Sequence, residues 1–342
     1  MGCATGPDAP HPSASASATG PAPTVTPTTV APAPAPLAAL AGCPAPPRPP
    51  RPPVPPPWHP SVLVPEAALP EPAPPGGLSA DRGPIEGKGM WVWQMPATEG
   101  GDVAAIVRRA RAAGLRQLWV RVGDSRQGFY GASVLDRLVP AAHRAGMAVV
   151  GWGFPYLYDP VADGAWTGRA LAWRAADGSR LDGFSADIET ATEGTMLSAR
   201  RVAVYLGLAR RAAGSRLLVA TVFRPTDRLW ATYPYTTIAP YVDAFAPMVY
   251  WGCTEPGAAA TEAMARLAPL RPVHLIGQAY DMGPEGGRSA APTADETRRF
   301  LDVARRGGAT GASFWVWQHM NVEEWDAMAA FAWDVAPARD QR

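Results

Sequence analysis

The sequence predicts an α/β protein, a (β/α)8 TIM barrel preceded by a disordered Pro/Ala-rich N-terminal tail. Three observations predict it. From residue 85 to about residue 336, short apolar runs alternate with Ala/Arg-rich runs of helical character, and repeated strand–helix alternation implies a parallel sheet. Eight strand candidates fall there, and eight strands with their helices in about 250 residues is the size of a closed barrel. Of the 40 prolines, 26 lie in residues 1–84, which separates a tail at 1–84 from a globular part at 85–342. The rival architecture is an open doubly wound sheet, but no Gly-rich phosphate loop follows the first strand.

The tail comes first. It is rich in Pro, Ala, Ser and Thr, with little to bury, so it cannot offset its ordering entropy; polyproline-like stiffness is expected around Pro44–Pro57. Leu40-Ala41-Gly42-Cys43 resembles the lipobox of bacterial lipoproteins. That resemblance implies a lipidated Cys43, a proline-rich spacer, and an extracytoplasmic protein, secreted or held to a membrane by its lipid. No Lys or Arg precedes Arg48, and prolines break the stretch before Leu37, so the basic and apolar parts of a leader are missing. An accidental tetrapeptide therefore stays open as the other reading. Met1-Gly2-Cys3 resembles an acylation start, but Gly6 stands where Ser or Thr is required. No run of about 20 apolar residues exists to span a bilayer. The three cysteines make no disulfide framework, and Cys253 reads as a lone thiol near the barrel mouth.

In the globular part, strands are expected at Met90–Gln94, Leu115–Val122, Ala148–Phe154, Gly183–Glu189, Leu217–Phe223, Val242–Tyr250, Val273–Ala279 and Ala312–Gln318. Helices are expected between them, among them Val103–Ala113, Val134–Ala145, Ser198–Ala213, Ala258–Leu267 and Thr293–Arg306, three of them stopped by Gly114, Gly146 and Gly214. Trp91-Val92-Trp93-Gln94 on the first strand recurs as Trp315-Val316-Trp317-Gln318 on the eighth, and these strands are neighbours in a closed barrel.

Composition narrows the function. A net charge of +1 gives no reason to expect nucleic acid or an acidic membrane surface as partner. Basic residues are nearly all Arg, and Lys88 is the sole lysine. The 13 tryptophans suit either a large core or a cleft that stacks indoles on sugar rings. The five histidines show no metal-ligand spacing, so neither a metal nor another cofactor is expected, and no G-x-S-x-G elbow supports a serine hydrolase.

The fourth strand carries the chemistry. In Leu181-Asp182-Gly183-Phe184-Ser185-Ala186-Asp187-Ile188-Glu189, alternation puts Phe184, Ala186 and Ile188 on the helix-facing side and Ser185, Asp187 and Glu189 inward. Inward carboxylates at the C-terminal end of a barrel strand are costly unless paired, hydrogen-bonded or used, and barrel enzymes keep their chemistry there. Asp182-Gly183-x-Ser185-x-Asp187-x-Glu189 resembles the D-G-x-D-x-D-x-E signature of chitinase-type (family eighteen) glycoside hydrolases, with Ser185 in place of the first inner Asp. The resemblance implies a glycoside hydrolase acting on an extracytoplasmic or cell-wall polysaccharide. It implies Glu189 as general acid, Asp187 assisting and orienting an N-acetyl group, and the substrate's own acetamide as nucleophile. Met248-Val249-Tyr250-Trp251 is similar to the sixth-strand pattern M-x-Y-D/N, which implies a positioning role for Tyr250, with Trp251 as a departure. Trp315 matches the eighth-strand Trp that floors the sugar site.

The remaining strand ends supply expected substrate contacts: Gln94, Arg121, Asp124, Trp152, Tyr156, Trp251, Gln278, Asp281, Trp317 and Gln318, with Arg224 also at the mouth. Asp281 is a candidate nucleophile or base in a two-carboxylate variant. Other readings stand beside these. Asp187 and Glu189 could be ion-paired to Arg121 or Arg224, Tyr250 and Trp315 could be core, and Asp124 and Asp281 could cap loops. Ser185 and Trp251 also fit a carbohydrate-binding barrel that has lost catalysis, and a barrel lyase or deacetylase is a third possibility. A monomer is expected.

Overall fold

The computed structural model describes residues 42–43, 63–285 and 287–333. Expectations for residues 1–41 and 44–62 lie outside them.

Eight parallel strands close into a barrel: β1 (Gly87–Val92), β2 (Gln117–Asp124), β3 (Ala148–Phe154), β4 (Gly183–Asp187), β5 (Leu217–Phe223), β6 (Ala244–Val249), β7 (His274–Gln278) and β8 (Gly311–Trp315). Each pairs with the next, and β1 pairs with both β2 and β8, which leaves no free edge. A two-residue antiparallel return, Gly128–Phe129, is added beside the end of β2. The helices are α1 (Val103–Ala112), α2 (Ala132–Arg144), α3 (Pro160–Ala172), α4 (Ala199–Ala213), α5 (Asp227–Thr232), α6 (Tyr235–Ile238), α7 (Pro256–Leu267), α8 (Ala294–Arg306) and α9 (Val322–Ala330). Their starts follow local chemistry: Asp102, Asp159, Ser198 and Glu255 accept backbone N–H groups at N-termini, and Thr293 with Glu296 forms a capping box. Gly114 follows α1 at a φ of 66°, where a side chain would be strained.

Two apolar layers result. Outward strand residues such as Leu118, Phe184, Ala186 and Leu218 pack beneath the helices. Inward residues fill the barrel itself, chiefly Trp91, Trp119, Trp152, Val150, Val219 and Ile276, with Ile85 beside them. The Trp91 and Trp119 rings stack at 4.9 Å, and Trp119 lies 4.9 Å from the His274 ring. A polar thread holds this stack. Trp91 Nε1 donates to Ser313 Oγ at 2.8 Å, His274 Nε2 meets the same hydroxyl at 2.9 Å, and His274 Nδ1 donates to the Ile85 carbonyl at 2.8 Å. Burial holds His274 neutral by lowering its pKa to about 4. At the mouth, Gly123 and Gly153 make room for the Trp166 indole, since a Cβ on Gly153 would lie 2.5 Å from it.

Two expectations need correction. Residues 63–84 are packed on the barrel and do not continue a free tail. Arg201 donates to the carbonyls of Val64, Leu157 and Tyr158, Leu69 is buried, and Ser79 N donates to Asp243 Oδ1 at 2.6 Å. Asp243 also receives the buried Arg210 at 2.8 Å, so both buried charges are compensated. Second, Cys253 is not a lone thiol: it forms a disulfide with Cys43, 210 residues away. Cys43, the cysteine of the lipobox-like tetrapeptide, is thus the disulfide partner of Cys253. Gly42 extends the attachment by accepting from Ser289 N at 3.0 Å. Among the described residues, no helix is long and apolar enough to cross a membrane.

Two outcomes are expected. Lys88 is 4% exposed, donates to the Met328 and Phe331 carbonyls, and has its pKa lowered by burial to about 8. An amine-acylating reagent should leave Lys88 unmodified in the native protein and label it after denaturation, read by mass spectrometry of its peptide. Cys253→Ser, or reductant, should lower the thermal midpoint; chain entropy sets the loss at no more than about 5 kcal/mol for a loop of this length.

Candidate active site at the barrel mouth

Asp187 and Glu189 stand where β4 leaves the barrel, and both line a cavity of about 710 Å³ at the mouth. Strand alternation puts them there: Phe184, Ala186 and Ile188 occupy the helix-facing core, so their neighbours turn inward. Trp91 and Trp315 line the same cavity, with Tyr250 after β6 and Tyr280 after β7. The Tyr250 and Tyr280 rings meet edge to face at 5.6 Å. Trp315 lies 5.4 Å from Trp152 and 5.9 Å from Trp91, on the indole stack that fills the barrel.

The two carboxyl groups are poorly compensated. Asp187 is 7% exposed, and neither its Oδ1 nor Glu189 Oε2 has a hydrogen-bond partner. Desolvation raises the Asp187 pKa to about 7, with Arg121 opposing and Glu193 reinforcing the shift. Glu189 is held well above the usual carboxylate range by burial first, then by the charges of Asp187, Glu193 and Glu285. Neither is ion-paired to an arginine. Arg121 pairs with Asp124 at 3.0 Å, and Arg224 faces Glu262 at 3.6 Å. The Ser185 hydroxyl is 2.8 Å from Thr221 Oγ1, and Thr221 is the partner of Asp187 across the β4–β5 ladder.

The structure brings together Asp187, Glu189, Tyr250, Trp315 and Arg224. The other expected contacts sit elsewhere. Trp251 is buried against Phe300 at 5.3 Å, in the layer under α8. Trp317 is buried against Trp325, with its Nε1 donating to Glu99 at 3.1 Å. Strand β8 ends at Trp315, so alternation no longer governs Trp317 and Gln318, which lie in a short 3-10 turn. Trp152 is barrel core beneath the cavity, its Nε1 donating to the Val92 carbonyl at 3.3 Å. Gln94 is exposed, and Tyr156 stacks on Phe154 at 4.2 Å. Gln278 ties two loops, accepting from Gly252 N at 2.9 Å and donating to the Tyr280 carbonyl at 2.8 Å. Asp124 accepts from Arg126 N and Gln127 N, and Asp281 from Gly283 N, so each caps its loop.

Sequence reasoning missed Thr221, Tyr280, Glu193 and Glu285 on the cavity wall. Thr221 was readable as an inward residue of β5. Glu193 closes a capping box with Thr190, and that Thr-x-x-Glu spacing was its only signal. Glu285 ends a short 3-10 turn, Gly283–Glu285, its Oε2 accepting from Tyr280 Oη at 3.2 Å.

The raised Asp187 pKa has a stability consequence. The folded state binds this proton up to about pH 7 and the unfolded chain only to about 3.8, so the stability it contributes is complete below about 3.8 and lost as pH rises through about 7. Asp187→Asn should therefore match the wild type in thermal midpoint near pH 3.5 and exceed it by a growing margin up to about pH 7, measured by a pH series of melting curves.

No protein-family model matches the chain, and no curated protein matches it in sequence. Solved structures do match in fold. A chitinase from Chromobacterium violaceum aligns at a TM-score of 0.54 and 11% identity, covering 71% of this chain and 98% of that one. The spore cortex-lytic enzyme of Bacillus megaterium aligns at 0.51 and 11%, covering 73% and 75%. A chitinase from the chitin utilization locus of Flavobacterium johnsoniae aligns at 0.51 and 10%, covering 71% and 93%. The chain shares with these chitinases and the cortex-lytic enzyme the fold of a (β/α)8 barrel, here closed by eight parallel strands.

Proposed function

We propose that the protein is a glycoside hydrolase of an extracytoplasmic or cell-wall polysaccharide, with Glu189 as general acid and Asp187 assisting. The observation that carries the reading is the pair of inward carboxyl groups, each with an unpartnered oxygen, on the wall of an aromatic-lined cavity at the C-terminal end of the barrel. The fold neighbours support it, being chitinases and a cortex-lytic enzyme. The Cys43–Cys253 disulfide supports an oxidising, extracytoplasmic setting.

Burial and neighbouring anions keep Glu189 protonated, the state a donor to the glycosidic oxygen requires. As the C–O bond breaks and the leaving oxygen takes the Glu189 proton, the substrate's own acetamide oxygen bonds to the ring carbon, ionised Asp187 compensates the positive charge, and water deprotonated by Glu189 then displaces the acetamide oxygen and restores the proton. Trp315 and Tyr250 supply flat faces against which a ring can be held.

The test is reducing-end release from chitin, peptidoglycan, α-glucans and β-glucans. Glu189→Gln should lower kcat by about 10²–10⁴-fold, the usual worth of a general acid. Activity should fall on the alkaline side as Glu189 loses its proton. In Asp187→Asn that limb should move to lower pH, because removing the neighbouring anion lowers the Glu189 pKa. No cleavage of any glycan, with sugar binding equal in wild type and Glu189→Gln, would instead identify a carbohydrate-binding barrel that has lost catalysis.

A further inference from the structure

Four carboxylates line the cavity: Asp187, Glu189, Glu193 and Glu285. They come from both sides of the mouth, Glu193 after β4 and Glu285 after β7. Against them stands one lining guanidinium, Arg224, and its Nε faces Glu262, which is not on the cavity wall. The imbalance is not relieved by internal hydrogen bonds at the floor, where Asp187 is 7% exposed and its Oδ1 meets no donor. Nearer the opening, Glu193 is fixed by Thr190, whose N–H and hydroxyl donate to its Oε2 at 3.2 and 2.5 Å. Glu285 is held by the Tyr280 hydroxyl and is exposed. Both carboxylates are thus positioned by their own loops and not consumed by a cation of the protein.

We propose that the cavity selects a glycan carrying free, protonated amino groups beside its acetamides, a partly de-N-acetylated hexosaminoglycan, with Glu193 and Glu285 receiving the ammonium groups. This deepens the glycoside-hydrolase reading and rests on it for the identity of the ligand as a sugar. A neutral glycan entering this cavity brings no positive charge to Glu193 and Glu285. An ammonium group supplies charge-assisted donors to them and sits favourably over the Trp315 and Tyr280 faces. Mutual repulsion is already visible, since Glu193 raises the proton affinity of Asp187, Glu189 and Glu285 alike.

The experiment uses the full chain and two probes, a glucosamine oligomer and the N-acetylglucosamine oligomer of equal length, at mildly acidic pH. Calorimetry gives affinity and reducing-end release gives turnover. The glucosamine oligomer should bind about tenfold tighter, the worth of one or two charge-assisted contacts. That advantage should shrink between about 50 and about 500 mM salt. It should disappear in Glu193→Gln/Glu285→Gln, whose folding is checked by thermal midpoint; Glu285→Gln alone, at an exposed position, should remove part of it if the double variant does not fold. Equal or tighter binding of the acetylated oligomer by the wild type, or a preference unchanged in these variants, overturns the proposal. The two readings fail separately. Glu189-dependent cleavage without amine preference keeps the hydrolase and discards the selectivity. Amine preference with no cleavage of the acetylated oligomer keeps the selectivity and discards the hydrolase.

Discussion

The interior of a closed eight-stranded barrel has a fixed width, and here indoles fill it. Trp91, Trp119 and Trp152 occupy the space between the strands, and one thread from Trp91 through Ser313 and His274 to the Ile85 carbonyl orients the stack. Every polar atom in that thread is matched only while His274 is neutral, so the plug is uncharged throughout. Everything at the mouth rests on it. Trp91 and Trp315 line the cavity above it, beside the carboxyl groups at the C-terminal end of β4.

That placement sets stability against chemistry. A protein selected for stability alone would pair Asp187 with Arg121, or bury an apolar residue in its place. Arg121 is instead engaged by Asp124, and Ser185 bonds to Thr221, so no neighbour neutralises Asp187. The molecule carries two uncomfortable carboxyl groups and keeps them protonated well above the usual range, which is the arrangement general-acid chemistry needs.

Much of this was readable in the sequence because strands have a period of two. Phe184, Ala186 and Ile188 outward against Asp187 and Glu189 inward is a pattern only one register satisfies. The same rule places Tyr250 in the cavity and so sends Trp251 outward, against Phe300; reading both as sugar contacts ignored the alternation. Trp317 failed for the opposite reason, since the strand stops at Trp315 and alternation was carried past its end. Glu193 and Glu285 were not legible as cavity residues because loops have no period. The pairing of Cys43 with Cys253 was hidden by a composition that makes residues 1–84 look uniformly tail-like, although residues 63–84 carry enough contacts to lie on the barrel.

The disulfide also changes what a cut in the backbone would do. Cys43 is tied to Cys253 across 210 residues, while residues 44–62 connect it to the barrel through proline-rich sequence that includes Arg48 and Arg51. Proteolysis within that connector would divide the chain in two without releasing the piece ahead of it. Both fragments would travel together through purification and separate only in reductant, so this protein's apparent length on a gel depends on thiols as much as on proteases.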